Sequence, residues 1–437
     1  MFPVPLPVSA VLEQVKKSGF FVSSPDLTEE EQSISRNFEE ETEIYPVEAE
    51  DVDPIEVDEP FGSNPSSGRI TFFAFLDGIQ RTMMLPYRVL LPNGVAVPIH
   101  IAQIAAGVMF RDPETGKLHV DPKLVASRLL LLGPFKGIKE AGGLKDIDFP
   151  EEIMDTSDRT FDVPRERNEW IVCDTTFCGT EKDREKRRED AIVGERLLNE
   201  GMIRSRARSR VAVLRQRLEL AVLAEFRARY PEEGILVDGP LFFIDKWRAK
   251  ATRVLGPKLK EDQESRFEEK LLANVVGLIK THRLRPKNPE KVLQLNFKQR
   301  SPALRLMREV DIKVVGENFE ERGSYAGAHL TWYTRLRSAS HPPRGLTGLV
   351  RIDIHRATLG IGNADFLNPR NFSEYKPIID GITRAVWAER WPAFSHLDPL
   401  RAAAQIYPIE QLEKTLKSMV YPKRFLQHLL LSTWKIS

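Results

Sequence analysis

Two apolar runs that stop at Asp-Gly constrain this chain more than any other feature. The first is Phe72-Phe73-Ala74-Phe75-Leu76-Asp77-Gly78, and the second is Gly234-Ile235-Leu236-Val237-Asp238-Gly239-Pro240-Leu241. A short continuous apolar run fits a strand buried on both faces of a sheet. Asp-Gly at its end holds a carboxylate at a rigid sheet edge, and the glycine lets the backbone turn or another group approach closely. Taken singly, each is an ordinary turn signal. Taken together, they lie far apart in the chain, and only the fold can unite them. Two carboxylates united in that way are what a divalent cation needs.

Composition narrows the class. The 437 residues suffice for one large elaborated domain or two to three ordinary ones. The net charge is only +1, so a nucleic-acid surface has to come from local clustering of cations. Cys173 and Cys178 are the only cysteines. Their close spacing permits a small disulfide loop, whereas so cysteine-poor a chain fits a reducing compartment. No Cys/His zinc pattern occurs. Residues 1–5 lack a charged leader followed by an apolar core, and no stretch approaches the roughly 20 apolar residues of a membrane helix. The expected location is the cytoplasm.

Periodicity and turn signals outline the elements. Val11, Leu12 and Val15 predict a short helix over residues 9–17. Residues 29–59 are rich in Glu, Asp and Pro and read as a flexible acidic segment, either a solvated linker or a partner-docking arm. Residues 70–77, 83–91 and 95–101 read as three strands of a meander, the last two joined by the turn signal Pro92-Asn93-Gly94. Residues 121–132 read as a helix capped by Asp121, with Pro122 at its first position. The span 133–164 reads as irregular, and the middle of the chain as an insertion. A long helical stretch over 182–229 precedes the second Asp-Gly strand. Residues 261–272 are a further helix and 275–279 a further buried strand. Two late strands, 331–336 and 348–354, precede two helices, 375–389 and 408–419. This order predicts an α/β fold with a mixed sheet flanked by helices.

Several polar residues stand out against that frame. Glu219 lies in the strongly apolar helical stretch that runs into the second Asp-Gly strand. A buried carboxylate is costly unless it is paired or bound to a metal, so it is either a salt-bridge partner of Arg215 or a ligand. Lys280 closes the strand 275–279, where a cation can steady a phosphate or simply be solvated. Arg204, Arg206, Arg208 and Arg210 alternate with small residues and no acid, which fits contacts to DNA phosphates. His355, two residues after Asp353, reads as structural rather than as a metal ligand.

In order and local sequence, these pieces resemble the NurA nucleases. The pieces are Asp77-Gly78 after its apolar run, the Arg/Glu helix leading into Leu236-Val237-Asp238-Gly239-Pro240-Leu241, Val276-Gly277-Leu278-Ile279-Lys280, and a late Tyr407-Pro408. The resemblance spans roughly residues 69–415, with the stretch around 110–200 poorly matched. It implies a nuclease domain over 69–437, preceded by the region 1–68 with the helix and the acidic segment read above. That domain would have an RNase H-like, Piwi-related fold carrying a partly helical insertion. It implies DNA cleavage, as exonuclease and endonuclease, with Mn²⁺ or Mg²⁺ and two ions at the site. It also implies a homodimer docked on a HerA-type hexameric ATPase for DNA end processing. No Gly-x-x-x-x-Gly-Lys-Ser/Thr pattern occurs in this chain, which agrees with an external motor.

Carried over residue by residue, Asp77, Glu219 and Asp238 would be the metal-binding acids, with Asp77 bridging the ions. Lys280 and Tyr407 would support the active site, and Asp353 would be a fourth carboxylate. Two departures bear on this. Ile79 stands where the family usually has Ser, and the stretch after Tyr407-Pro408 reads Ile409-Glu410-Gln411-Leu412-Glu413-Lys414 where a His is usual. His428 lies farther on. These departures favour the alternative of a catalytically impaired, DNA-binding or motor-docking relative. A third reading is a structural protein in which both Asp-Gly pairs are ordinary turns.

Overall fold

The computed structural model describes residues 19–21, 44–46, 53–57, 71–143, 161, 169–176, 197, 199–241, 248–280, 288–306, 328–337, 345–361, 374–390, 403–422 and 425–426. The helix expected over 9–17 lies outside them. The strands are β1 (Gly19–Phe21), β2 (Ile44–Pro46), β3 (Ile55–Glu56), β4 (Ala74–Leu90), β5 (Ala96–Arg111), β6 (Leu118–Gly133), β7 (Glu169–Asp174), β8 (Ile235–Asp238), β9 (Val275–Ile279), β10 (Gln299–Arg300), β11 (Leu304–Leu306), β12 (His329–Arg335) and β13 (Leu349–His355). The helices are α1 (Phe135–Glu140), α2 (Glu200–Arg229), α3 (Arg248–Leu259), α4 (Glu264–Leu272), α5 (Pro289–Leu293), α6 (Lys376–Ala388) and α7 (Tyr407–Met419). The result is an α/β fold, one large mixed sheet flanked by helices.

All 13 strands join in one sheet, in the order β2-β11-β12-β13-β9-β8-β4-β5-β6-β7, with β1 on β4, β10 on β12, and β3 on β10. The centre is parallel: β4 pairs with β8, and β8 with β9. To one side, β4, β5 and β6 form a long antiparallel meander. The turn between β4 and β5 is where Pro92-Asn93-Gly94 predicted it. Gly94 has φ 81°, and its N–H donates to Leu91 O at 2.9 Å.

Four expectations change. First, the runs 70–77 and 83–91 are one strand, so β4 passes straight through Asp77-Gly78 instead of ending there. Second, 121–132 is not a helix but part of β6. An apolar run buried on both faces has no periodicity to separate helix from strand. Here β5 and β7 claim it from either side. The proline is tolerated because it falls where the β5–β6 register shifts, between the Gly107–Val125 and Met109–Val120 pairs. Third, β6 and β7 belong to the main sheet, so the middle of the chain is not simply an appended insertion. Fourth, three pieces of the N-terminal region add short strands to the sheet rather than all standing apart from it.

The sheet has a core on each face. Ala74, Leu76, Ile104 and Val237 pack with Leu214 and Leu218 of α2, Leu255 of α3 and Leu271 of α4. Phe75, Ile79, Leu236 and Leu278 pack on the opposite face with Ile382 and Val386 of α6 and Ile409, Leu412 and Leu416 of α7. Side chains alternate between faces along a strand. Asp77, Asp238 and Lys280 therefore emerge on the α6/α7 face. Helix α2 is fixed at both ends. Asn199 caps it by accepting from Met202 N at 2.9 Å. Arg227 donates to Tyr230, Glu233, Leu271 and Ala273 carbonyl oxygens at the other end. Such donors satisfy carbonyls that a helix end leaves open.

Candidate active site

The parallel strands β8 and β9 stop while β4 continues, and the candidate site lies at that step. Leu76 is paired with Val237, so Asp77 and Asp238 follow one another across neighbouring strands. Sites at the carboxyl ends of parallel strands are a general feature of such sheets. Gly239 makes the turn after Asp238, with φ 129°, a conformation that side chains rarely allow. Its N–H donates to Leu278 O at 2.9 Å, which ties the turn to β9. Lys280 follows β9 and places Nζ 2.8 Å from Asp238 Oδ2.

Glu219 reaches the site from the other side of the sheet. It is buried on α2, and its carboxylate lies against the backbone of Gly78. A Cβ at position 78 would stand 2.1 Å from Glu219 Oε1, so the glycine is the opening through which Glu219 comes beside Asp77. Arg215, one helical turn earlier, donates from Nη1 to both Glu219 Oε1 and Gly78 O, each at 2.8 Å. The salt bridge read from the sequence as one option for Glu219 is thus formed. It does not remove Glu219 from the site, because the same guanidinium pins the carboxylate to the Asp77-Gly78 backbone.

The electrostatics follow from this crowding. Burial pushes the Asp77 carboxyl well above the usual carboxylate range. Asp238, Glu219 and Glu413 push the same way, and Lys280 opposes them. Burial raises Glu219 to about 7, with Arg215 opposing and Asp238 adding. Asp77 Oδ1 accepts from Gly78 N at 2.7 Å.

The remaining expected residues fall in different places. Asp353 is buried on β13, but it lies on the face opposite Asp77, because its neighbours Ile352 and Ile354 belong to the α6/α7 core. Both its oxygens are engaged: Arg351 donates at 3.0 and 3.1 Å, and Thr331 Oγ1 at 2.8 Å. The structure therefore does not bring Asp353 to the three acids. His355 is structural, as expected. Its Nδ1 accepts from Ala357 N at 3.2 Å and caps the short turn Arg356–Leu359. Tyr407 is the first residue of α7, half-buried, with its N–H donating to Glu389 O at 3.0 Å. Arg204, Arg206, Arg208 and Arg210 lie on the first half of α2, where Arg206 Nη1 donates to Thr176 O at 2.9 Å.

One residue was missed. Leu416 of α7 packs on Gly107, which is the cross-strand partner of Asp77. Glu413, one turn earlier, projects its charge onto Asp77 and is held by Lys417 at 2.9 Å. It sits in the stretch that departs from the resembled family. The only sequence signal was an acid in that stretch, six residues past Tyr407.

Carboxylate oxygens are the donor set of a hard divalent ion, and Gly78 gives the close approach that ligands from two elements need. Among the described residues, no three His, Cys, Asp or Glu side chains converge as a metal-binding group. Arg215 and Lys280 hold two of the acids in their place. Among the same residues, no helix is long and apolar enough to cross a membrane. No family model matches the chain, and no curated protein is significantly similar to it.

Proposed function

We propose that this chain is a metal-dependent deoxyribonuclease of the NurA type, on an RNase H-like sheet. One observation carries the reading: Asp77 and Asp238 follow one another on paired strands, with Glu219 lying against the backbone of Gly78, the residue after Asp77. In this reading Asp77, Glu219 and Asp238 hold Mn²⁺ or Mg²⁺, two ions in all, which activate the attacking water and stabilise the leaving oxygen when bound. Lys280 leaves Asp238 to meet the scissile phosphate, where a fixed cation stabilises developing charge. Arg215, which donates to both Gly78 O and Glu219 Oε1, would position the carboxylate that a bound cation would need. Glu219, raised to about 7 without a cation, is then held as a carboxylate. A homodimer docked on a HerA-type hexameric ATPase would supply processive movement.

The second reading is a catalytically impaired, DNA-binding or motor-docking relative. It is favoured by Ile79 and the missing His, and by the lack of a three-ligand metal group among the described residues. A cleavage assay on linear DNA with Mn²⁺ separates the two. The nuclease reading expects cleavage by the wild-type chain, and none by Asp77→Ala or Asp238→Ala variants that melt as folded proteins. Full activity in both folded variants overturns it. Light scattering tests the dimer, which a monomer at micromolar concentration contradicts.

A further inference from the structure

Strand β4 outruns its parallel neighbours. It pairs with β8 only as far as Leu76, and with β1 only from Tyr87 onward. Between those points no strand among the described residues lies on that side of β4, so the step beside Asp77 continues along its edge. Arg81 stands on this stretch, four residues after Asp77 and therefore on the same α6/α7 face. The two positions are about 13 Å apart along the strand. Gln103 is the cross-strand partner of Arg81, as Gly107 is that of Asp77.

The chain leaving α7 is fastened over this stretch. Leu416 packs on Gly107, and farther on Tyr421 N–H donates to Gln103 Oε1 at 2.7 Å. Arg81 Nη1 donates to Tyr421 O. Leu426 is wholly buried with Met83 and Ile101, and Tyr421 packs half-buried on the same cluster. Between these anchors Phe425 is 45% exposed, one of three large apolar side chains that stand exposed among the described residues. Its ring lies on that of Tyr421, with centroids 4.7 Å apart and 36° between the planes. A lone exposed Phe calls for no explanation. A ring pair held by fixed backbone beside a cation does. Arg81 makes no other hydrogen bond or ion pair among the described residues, so its remaining N–H groups can serve an acceptor. The chain between the rings reads Pro422-Lys423-Arg424, two cations and no acid.

We propose that Tyr421 and Phe425, with Arg81 beside them, form a stacking subsite for an unpaired nucleobase and its phosphate. Every base has a π-face, so aromatic stacking takes any sequence. The guanidinium supplies a charge-assisted donor to the phosphate. In a duplex both faces of each base are already stacked on neighbours, so the subsite selects a single-stranded segment. The proposal rests on the nuclease reading, which makes DNA the ligand. At about 3.4 Å per phosphate of a stacked strand, the distance from Asp77 to Arg81 corresponds to roughly four nucleotides.

The test is DNA binding by fluorescence anisotropy in EDTA, with a labelled oligothymidylate, which does not pair with itself, and a labelled blunt duplex. Phe425→Leu keeps an apolar contact with Tyr421 and removes the ring, so it should melt as the parent does. It should bind the oligothymidylate about 5-fold more weakly, and the duplex as the parent does. Its slope of log K against log salt should not change, because stacking releases no counterions. Phe425→Trp should bind at least as tightly as the parent, and the oligothymidylate should quench its added indole fluorescence. Arg81→Gln should instead lower the slope by about 0.7, one phosphate contact on a single strand. Parental affinity of Phe425→Leu for the oligothymidylate, or an equal loss on the duplex, overturns the subsite. The two claims fail separately. Mn²⁺-dependent cleavage with no effect of Phe425→Leu leaves the nuclease and removes the subsite. A loss confined to the single strand, with no cleavage by the wild-type chain, does the reverse.

Discussion

Glu219 makes a testable conflict between stability and function. Its folded-state value of about 7 lies above the ordinary 4.5, chiefly through burial. A raised acid binds more protons in the folded chain than in the unfolded one between those values. Its stabilising contribution is therefore present below 4.5 and is lost as pH rises through about 7. The rise corresponds to roughly 3 kcal/mol above that window, and to only about 1 kcal/mol near pH 5. Glu219→Gln removes the charge and keeps an oxygen to accept from Arg215. Without divalent metal, it should be more stable than wild type by about 2–3 kcal/mol near pH 8, and by only about 1 kcal/mol near pH 5. Urea unfolding in EDTA at the two pH values measures this. Added Mn²⁺ should stabilise the wild-type chain and not the variant, closing the gap. A Gln variant less stable than wild type at the higher pH, or a gap independent of pH, refutes the reasoning.

Gly78→Ala should displace Glu219, whose Oε1 the new methyl would meet at 2.1 Å. Cleavage should then be lost at a cost of about 1–3 kcal/mol in stability, and cleavage equal to wild type would mean that Glu219 is not needed beside Asp77. Asp353→Asn should destabilise the fold by about 3–5 kcal/mol, because it leaves Arg351 buried without its carboxylate. A variant of normal stability that no longer cuts DNA would instead return Asp353 to the chemistry. Glu413→Gln should weaken Mn²⁺ binding by about 10-fold or more in calorimetry without DNA, and unchanged affinity would remove it from the site.

The central parallel strands were legible because their sequences admit little else. Residues 275–279 are the strand Val275–Ile279 as read, and the apolar run before Asp238 is β8, since short apolar runs between turn signals fit buried strands. Helices α4, α6 and α7 also fall near their expected bounds, because their apolar residues recur at helical spacing. The identity of β6 was not legible. Its apolar run suits helix and strand equally, and only pairing with β5 and β7 decides between them. The same holds for the end of β4. Asp-Gly reads as a stop, yet the partner strand β5 carries the ladder past it to Leu90.

By itself, the sequence determined which residue types can serve the site: two Asp-Gly carboxylates, an acid in an apolar helix and a lysine closing a strand. Only the tertiary structure decided which of them meet. Asp353 and Asp77 look alike as strand acids, but register and side-chain alternation send them to opposite faces. Glu219 lies against the backbone beside Asp77 because Gly78 leaves room for it, and the charge of Glu413 bears on Asp77 from α7, whose Leu416 docks on Gly107. Face, register and docking are set by pairing between segments far apart in the chain. Local pattern fixes what a residue can do, whereas that pairing fixes what it stands beside.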